Sequence, residues 1–234
     1  MGTLQRFNVR AILDETDITS FVETGAGRGW SLAYAAKHDF LRLLSCELHP
    51  DLHEEVVRKF SDDPRVEVRC EESVDFLTWC ADALAGPALF FLDAHFPGGA
   101  DFGLTTYAES KRPDDGHLPL NEELSVLRSY SGLSRSIVVI DDSCIYLEGE
   151  FQAGPCAPES RASPQATVGV TDLLEELGQT HDLTHLLLDQ GYWVLRPRDG
   201  GGRNLSGWIR QRPGEALGNL DAWISRRRDG SDTH

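Results

Sequence analysis

No stretch of this chain approaches the ~18 consecutive apolar residues that a membrane-spanning helix needs, so no membrane partner is expected. The N-terminal residues Met-Gly-Thr-Leu-Gln-Arg lack the basic and then apolar pattern of a secretory leader. Cysteines are few and scattered. The five, Cys46, Cys70, Cys80, Cys144 and Cys156, are odd in number and show no C-x-x-C spacing. That pattern speaks against a disulfide framework or a zinc site, and for reduced thiols in a cytoplasm. Positive charge is scarce over most of the length. From Met1 to Leu195 there are 14 basic and 33 acidic residues, and only the segment from Arg196 onward is net basic. The whole chain carries −16. Such a body repels a phosphate backbone, which excludes nucleic acid as the expected partner. The run Arg226-Arg227-Arg228 reads as the solvated end of a C-terminal helix rather than a nucleic-acid arm.

What is present fits one globular unit. Hydrophobic residues make up 40% and charged residues 26% of the 234, enough to close a substantial core. Apolar runs at 41–46, 66–70, 88–92 and 137–140 predict strands, the last two buried on both faces. Helical spacing marks 50–60, 73–84, 120–130 and 168–177, and Pro50 suits a helix start. Segments 184–188 and 192–195, joined through Asp-Gln-Gly, predict a hairpin. Strands alternating with helices imply an α/β, doubly wound, mostly parallel seven-stranded sheet with a terminal antiparallel hairpin. The expected unit is 1–198, followed by an extension at 199–234. Two polar stretches, 97–119 and 152–165, read as inserts able to wall or cover a site.

The segment from Phe21 to Ser31 carries the sharpest functional signal. An apolar stub ends in Glu23, glycines follow at 25, 27 and 29, and a helix-like stretch begins at Trp30. This is a strand, a tight turn and a helix start, in which glycine lets a ligand approach the backbone. A dinucleotide turn would space its glycines G-x-G-x-x-G to bind a pyrophosphate. Here the third glycine comes one residue early, and the acid at Glu23 suits a cationic or amine-bearing ligand. S-adenosylmethionine (SAM) is such a ligand.

Ligands of an open parallel sheet bind beyond the carboxyl ends of its strands. Acidic or polar groups stand at every such end: Glu23, then Glu47, then Glu71, Glu72 and Ser73, then Asp93 and His95, then Asp141 and Asp142. Glu47 lies 22 residues beyond Gly25 and can accept hydrogen bonds from ribose hydroxyls.

With these residues in view, the chain resembles a class I SAM-dependent methyltransferase over about residues 21–196. The resemblance is strongest at Glu23 to Trp30, at Leu92-Asp93-Ala94-His95 and at Ile140-Asp141-Asp142. The segments from Phe91 to Gly99, from Pro119 to Leu124 and from Val139 to Asp142 look like a bacterial branch of that superfamily. The single Asp after the fourth strand and the Asp pair after the fifth are also similar to cation-dependent O-methyltransferases of the macrocin type. The resemblance implies Mg²⁺ held by Asp93, Asp141 and Asp142. It departs from the macrocin pattern at Ser143 and at His95.

The expected chemistry follows. Glu23 and Gly25, Gly27 and Gly29 would hold the methionine end of SAM, Glu47 its ribose, and Glu72 with Ser73 would lie by the adenine. A metal-bound hydroxyl would lose its proton to His95, a residue type whose ordinary pKa near ~6.5 suits a base. Asp93 and His95 are thus the candidate catalytic residues, and the acceptor is expected to be a small polar molecule such as a sugar. A metal-free N-methyltransferase, in which Asp93 meets an amine, stays open. So do a non-catalytic SAM-binding protein, an NAD-dependent enzyme and homo-oligomer formation.

Overall fold

The computed structural model describes residues 3–95, 118–198 and 205–210, together with the backbone of Ile224–Ser225. Most of the 97–119 insert, including His117, and the Arg226–Arg228 run lie outside the described residues.

Five strands run parallel: β1 (Ser20–Thr24), β2 (Arg42–Cys46), β3 (Val66–Arg69), β4 (Ala88–Leu92) and β5 (Ile137–Ile140). β6 (His181–Leu186) and β7 (Tyr192–Pro197) form the expected hairpin, and β7 pairs antiparallel with β5. A two-residue β8 (Ile224–Ser225) pairs with the edge of β6. The order is β3-β2-β1-β4-β5-β7-β6-β8, a doubly wound sheet whose chain reverses direction between β1 and β4. β1, β4 and β5 are buried along their whole length; β4 and β5 therefore read as unbroken apolar runs, whereas β1 buries Ser20, Glu23 and Thr24 beside its Phe21-Val22 stub.

Six helices accompany these strands among the described residues: α1 (Val9–Glu15), α2 (Trp30–Ala35), α3 (Pro50–Lys59), α4 (Ser73–Ala83), α5 (Leu120–Arg128) and α6 (Pro164–Leu177). Local chemistry explains their ends. Pro50 opens α3, and Arg58 and Lys59 lie in its last turn, where the helix dipole favours cations. Ser163 caps α6 by accepting from the Ala166 N–H, and Pro164 follows as its first residue. That Ser-Pro pair starts α6 inside the 152–165 stretch that reads as low in structure, four residues before the expected helix. α1 gives no strong sequence signal because it is only seven residues long; Val9 and Ile12 anchor it in the core.

Two apolar layers sandwich the sheet. Phe76, Leu77, Leu124, Leu127, Leu174 and Leu177 cover one face. Val9, Ile12, Leu32, Ala35 and Val56 cover the other. The second layer extends past the hairpin: Leu205 and Trp208 are buried, and the Asn8 N–H donates to the Trp208 carbonyl at 2.6 Å. A buried ion pair ties the N-terminus to the hairpin turn. The Arg6 guanidinium contacts Asp189 at 2.7 and 3.0 Å, and the Tyr192 hydroxyl donates to the same carboxylate at 2.8 Å.

Candidate active site

Register builds the site. Thr24 lies opposite Cys46 and Leu92, Leu92 opposite Ile140, and Cys46 opposite Arg69. These residues form one row across the sheet, so whatever follows each of them emerges at the same edge.

The turn after β1 carries Gly25, Gly27 and Gly29, all at positive φ. At Gly25 the need is twofold. Its φ is 75°, and a Cβ there would stand 2.5 Å from the Asp93 carbonyl oxygen. The glycine turn and the end of β4 therefore touch backbone to backbone. Glu47 locks the turn from the β2 side. Its Oε2 accepts from the Gly27 N–H at 2.7 Å and its Oε1 from the His49 N–H at 2.9 Å. Burial raises the Glu47 carboxyl, with those N–H bonds working against it. Glu23 lies inside β1, one residue before its end, and is buried. It accepts from the Ser45 hydroxyl at 2.7 Å, and burial pushes it up to about 8. Glu23 is therefore neutral at pH 7 rather than the open carboxylate that the sequence suggests. Glu72 caps α4 at the solvent edge, and Ser73 opens that helix and is buried.

His95 stands between two acids beyond β4 and β5. Its Nε2 lies 2.8 Å from Asp142 Oδ2 and its Nδ1 lies 3.6 Å from Asp93 Oδ1. Asp142 adopts a left-handed backbone at φ 50°, a conformation that Asp tolerates better than most residues. Its N–H donates to Asp141 Oδ1 at 2.8 Å. Burial would lower the His95 pKa, but the charge and hydrogen bond of Asp142, with Asp93 behind them, raise it to about 9. Burial pushes Asp142 the other way, and His95 outweighs it, holding Asp142 below the usual carboxylate range. Desolvation lifts Asp93 to about 7, and Asp141 is held well above its ordinary value by burial and by its two acidic neighbours. His95 is thus an imidazolium at neutral pH. The expected histidine base therefore carries a raised pKa, and the Asp142 partner is the cause.

Among the described residues no group of three His, Cys, Asp or Glu side chains is arranged to hold a metal ion. Of the Asp93, Asp141 and Asp142 set implied for Mg²⁺, Asp93 and Asp142 flank the His95 ring, at 3.6 and 2.8 Å. Two of the set's oxygens are already committed, Asp142 Oδ2 to His95 and Asp141 Oδ1 to a backbone N–H. As built, this donor set does not fit the ion.

A small pocket, of about 10 Å³, opens between α5 and the ends of β4 and β5. His95, Glu123, Asp141 and Tyr146 give its polar lining, and Leu92 and Ile140 are among its apolar walls. Glu123 is absent from the sequence-derived candidates. The Ser73 and Thr24 side chains beside it favour its charged form, and burial, the larger effect, still lifts it to about 7. The signal was available: Glu123 shares the apolar stripe of α5 with Leu120, Leu124 and Leu127.

No protein-family profile and no curated protein matches the chain. Solved structures do. A proposed caffeoyl-CoA O-methyltransferase from Staphylococcus aureus is 12% identical, with 81% of this chain and 80% of that one covered, at a TM-score of 0.50. The fold is the Rossmann-like one of methyltransferases. An SAH-bound methyltransferase from Podospora anserina is 16% identical over 77% of this chain and 72% of its own, at 0.49. An SAH-bound O-methyltransferase from Bacillus cereus is 12% identical over 82% and 78%, also at 0.49. In this methyltransferase fold the pocket and the glycine turn lie side by side at the carboxyl edge of the sheet.

Proposed function

We propose that the chain is a SAM-dependent methyltransferase acting on a hydroxyl of a small polar molecule. One observation carries this reading. The Gly25 backbone packs against the Asp93 carbonyl, so a cofactor seated on the turn lies next to the Asp93–His95–Asp142 chain. The name of the Staphylococcus aureus structure, an O-methyltransferase, agrees with it.

The 25–29 turn holds the methionine end with the buried Glu23 behind it, Glu47 binds the ribose through its remaining lone pairs, and Glu72 and Ser73 flank the adenine. SAM supplies a methyl group on a sulfonium, ready for in-line displacement. Asp93 keeps 28% of its side chain exposed and holds its carboxyl near neutrality, so it is the base that meets the acceptor. It takes the proton as the acceptor O–H bond breaks. His95 stays protonated and places a positive charge beside the developing alkoxide, the part otherwise expected of magnesium. Asp142 holds that imidazolium in place.

The test is SAH formation from SAM over a panel of hydroxylated acceptors. Asp93→Asn should lower turnover by about 10²–10⁴-fold, the range of general base catalysis. Turnover should survive excess EDTA. Loss in EDTA with recovery on adding Mg²⁺ would show that the carboxylates rearrange around an ion, and full activity in Asp93→Asn would remove Asp93 as the base.

A further inference from the structure

We propose that the methyl acceptor carries a protonated amine and that Glu123 holds it. This rests on the methyltransferase reading and names the class of its acceptor. α5 presents Leu120, Glu123, Leu124 and Leu127 along one buried stripe, and Glu123 is only 2% exposed. An acid in a core stripe is costly unless its oxygens are matched by donors. The nearby Thr24 and Ser73 side chains favour its charge only in part. Oε1 is buried with no hydrogen-bond partner, and Glu123 lines the pocket beyond β4 and β5. Asp142 Oδ1, at the neighbouring strand end, is likewise buried without one.

The charge of the pocket points the same way. Glu123 and Asp141 line it, Asp93 and Asp142 stand behind its lining residue His95, and neither Lys nor Arg is among its described lining residues. Among the described residues His95 is the one basic side chain lining it, and it is already engaged between Asp93 and Asp142. A neutral hydroxyl brings one donor and no charge. An ammonium brings three donors and a positive charge to the unmatched Glu123 oxygen. Held as an ammonium it has no free lone pair and is not the methyl acceptor. It anchors the molecule on α5 so that a hydroxyl elsewhere on it reaches Asp93.

The experiment titrates wild-type protein saturated with SAH against two pairs of probes, glucosamine with glucose and ethanolamine with ethylene glycol, by calorimetry. The amine of each pair should bind at least about tenfold more tightly than its neutral counterpart, the gain expected of one charge-assisted hydrogen bond. Glu123→Gln keeps the shape of the side chain and should abolish that preference while leaving SAH affinity within about twofold and the melting temperature near wild type. The wild-type comparison needs no variant and stands even if Glu123→Gln folds poorly. Equal binding of the amine and neutral probes, no binding of any probe at millimolar concentration, or an intact preference in a folded Glu123→Gln would overturn the proposal. So would Mg²⁺ binding that Glu123→Gln abolishes, since the carboxylate would then serve a metal. Failure of SAH itself to bind would instead remove the methyltransferase reading beneath it.

Discussion

The protonation states of the site are set by one histidine held between acids. Asp93 loses its proton near 7 and His95 near 9. If the ionised Asp93 is the base and the charged His95 is required, activity is greatest between those values. A plot of kcat/KM against pH should therefore rise through about 7 and fall through about 9. The limbs belong to the coupled cluster rather than to single residues. Asp142→Asn removes the charge that chiefly raises His95, so the descending limb should move to lower pH. A limb that stays in place in that variant would show that His95 is not the group responsible. Much at this scale was legible in the sequence. Glu47, Asp93, Asp141 and Asp142 were found because each follows an apolar strand, and strand ends share one edge. The charge of His95 was not, because it depends on a partner 47 residues away. Glu123 is not marked as a strand-end acid, because it lies inside a helix, on the same buried stripe as Leu120, Leu124 and Leu127.

At the scale of elements, two junctions hold the site together. The first is the contact between the glycine turn and the end of β4. Gly25→Ala places a Cβ on the Asp93 carbonyl and strains a backbone at φ 75°, so something must move. Such strain costs on the order of 1–3 kcal/mol. Urea unfolding should show that loss, and an SAH titration should show weakened binding in whatever folds. Unchanged stability would mean that the turn is looser than its geometry indicates. The second junction is the buried Arg6–Asp189 pair, which joins the N-terminus to the β6–β7 turn beside Gln152. Removing one partner of a buried pair leaves the other charge without compensation. Asp189→Ala should cost about 3–5 kcal/mol in the same urea experiment. Neither Arg6 nor Asp189 stands out in the sequence, since nothing local marks two residues 183 positions apart as a pair.

For the whole molecule, the unusual feature is how many acids are buried close to neutrality. Glu23 is raised to about 8, and Asp93 and Glu123 to about 7. Each binds its proton more tightly folded than unfolded, so its stabilising contribution is complete below the ordinary carboxylate range. That contribution is lost as pH rises through the folded value. His95 is raised as well and adds loss toward about 9. Self-repulsion in a chain of charge −16 acts in the same direction. The Tm of the ligand-free protein should therefore fall from about pH 5.5 to about pH 8.5, a range that brackets the three acids and approaches the His95 value. A Tm that rises over that range would contradict the burial of these acids. The fold itself was largely open to sequence reading. β4 and β5 are buried on both faces and so appear as apolar runs, β1 shows as a short apolar stub before the glycine turn, and the parallel order follows from helices between the strands. The short α1 and the two-residue β8 were not, because elements of that length are held by packing rather than by local pattern.

The central claim is that the strand-end carboxylates and the glycine turn form a SAM site. Calorimetric titration of SAM into wild type and Glu47→Ala tests it most directly, because Glu47 both braces the turn at Gly27 and is assigned to the ribose. One SAM should bind per chain, and Glu47→Ala should weaken it by about 1.5–3 kcal/mol, roughly tenfold to 150-fold. No binding of SAM to the wild type, or wild-type affinity in a folded Glu47→Ala, would contradict the account.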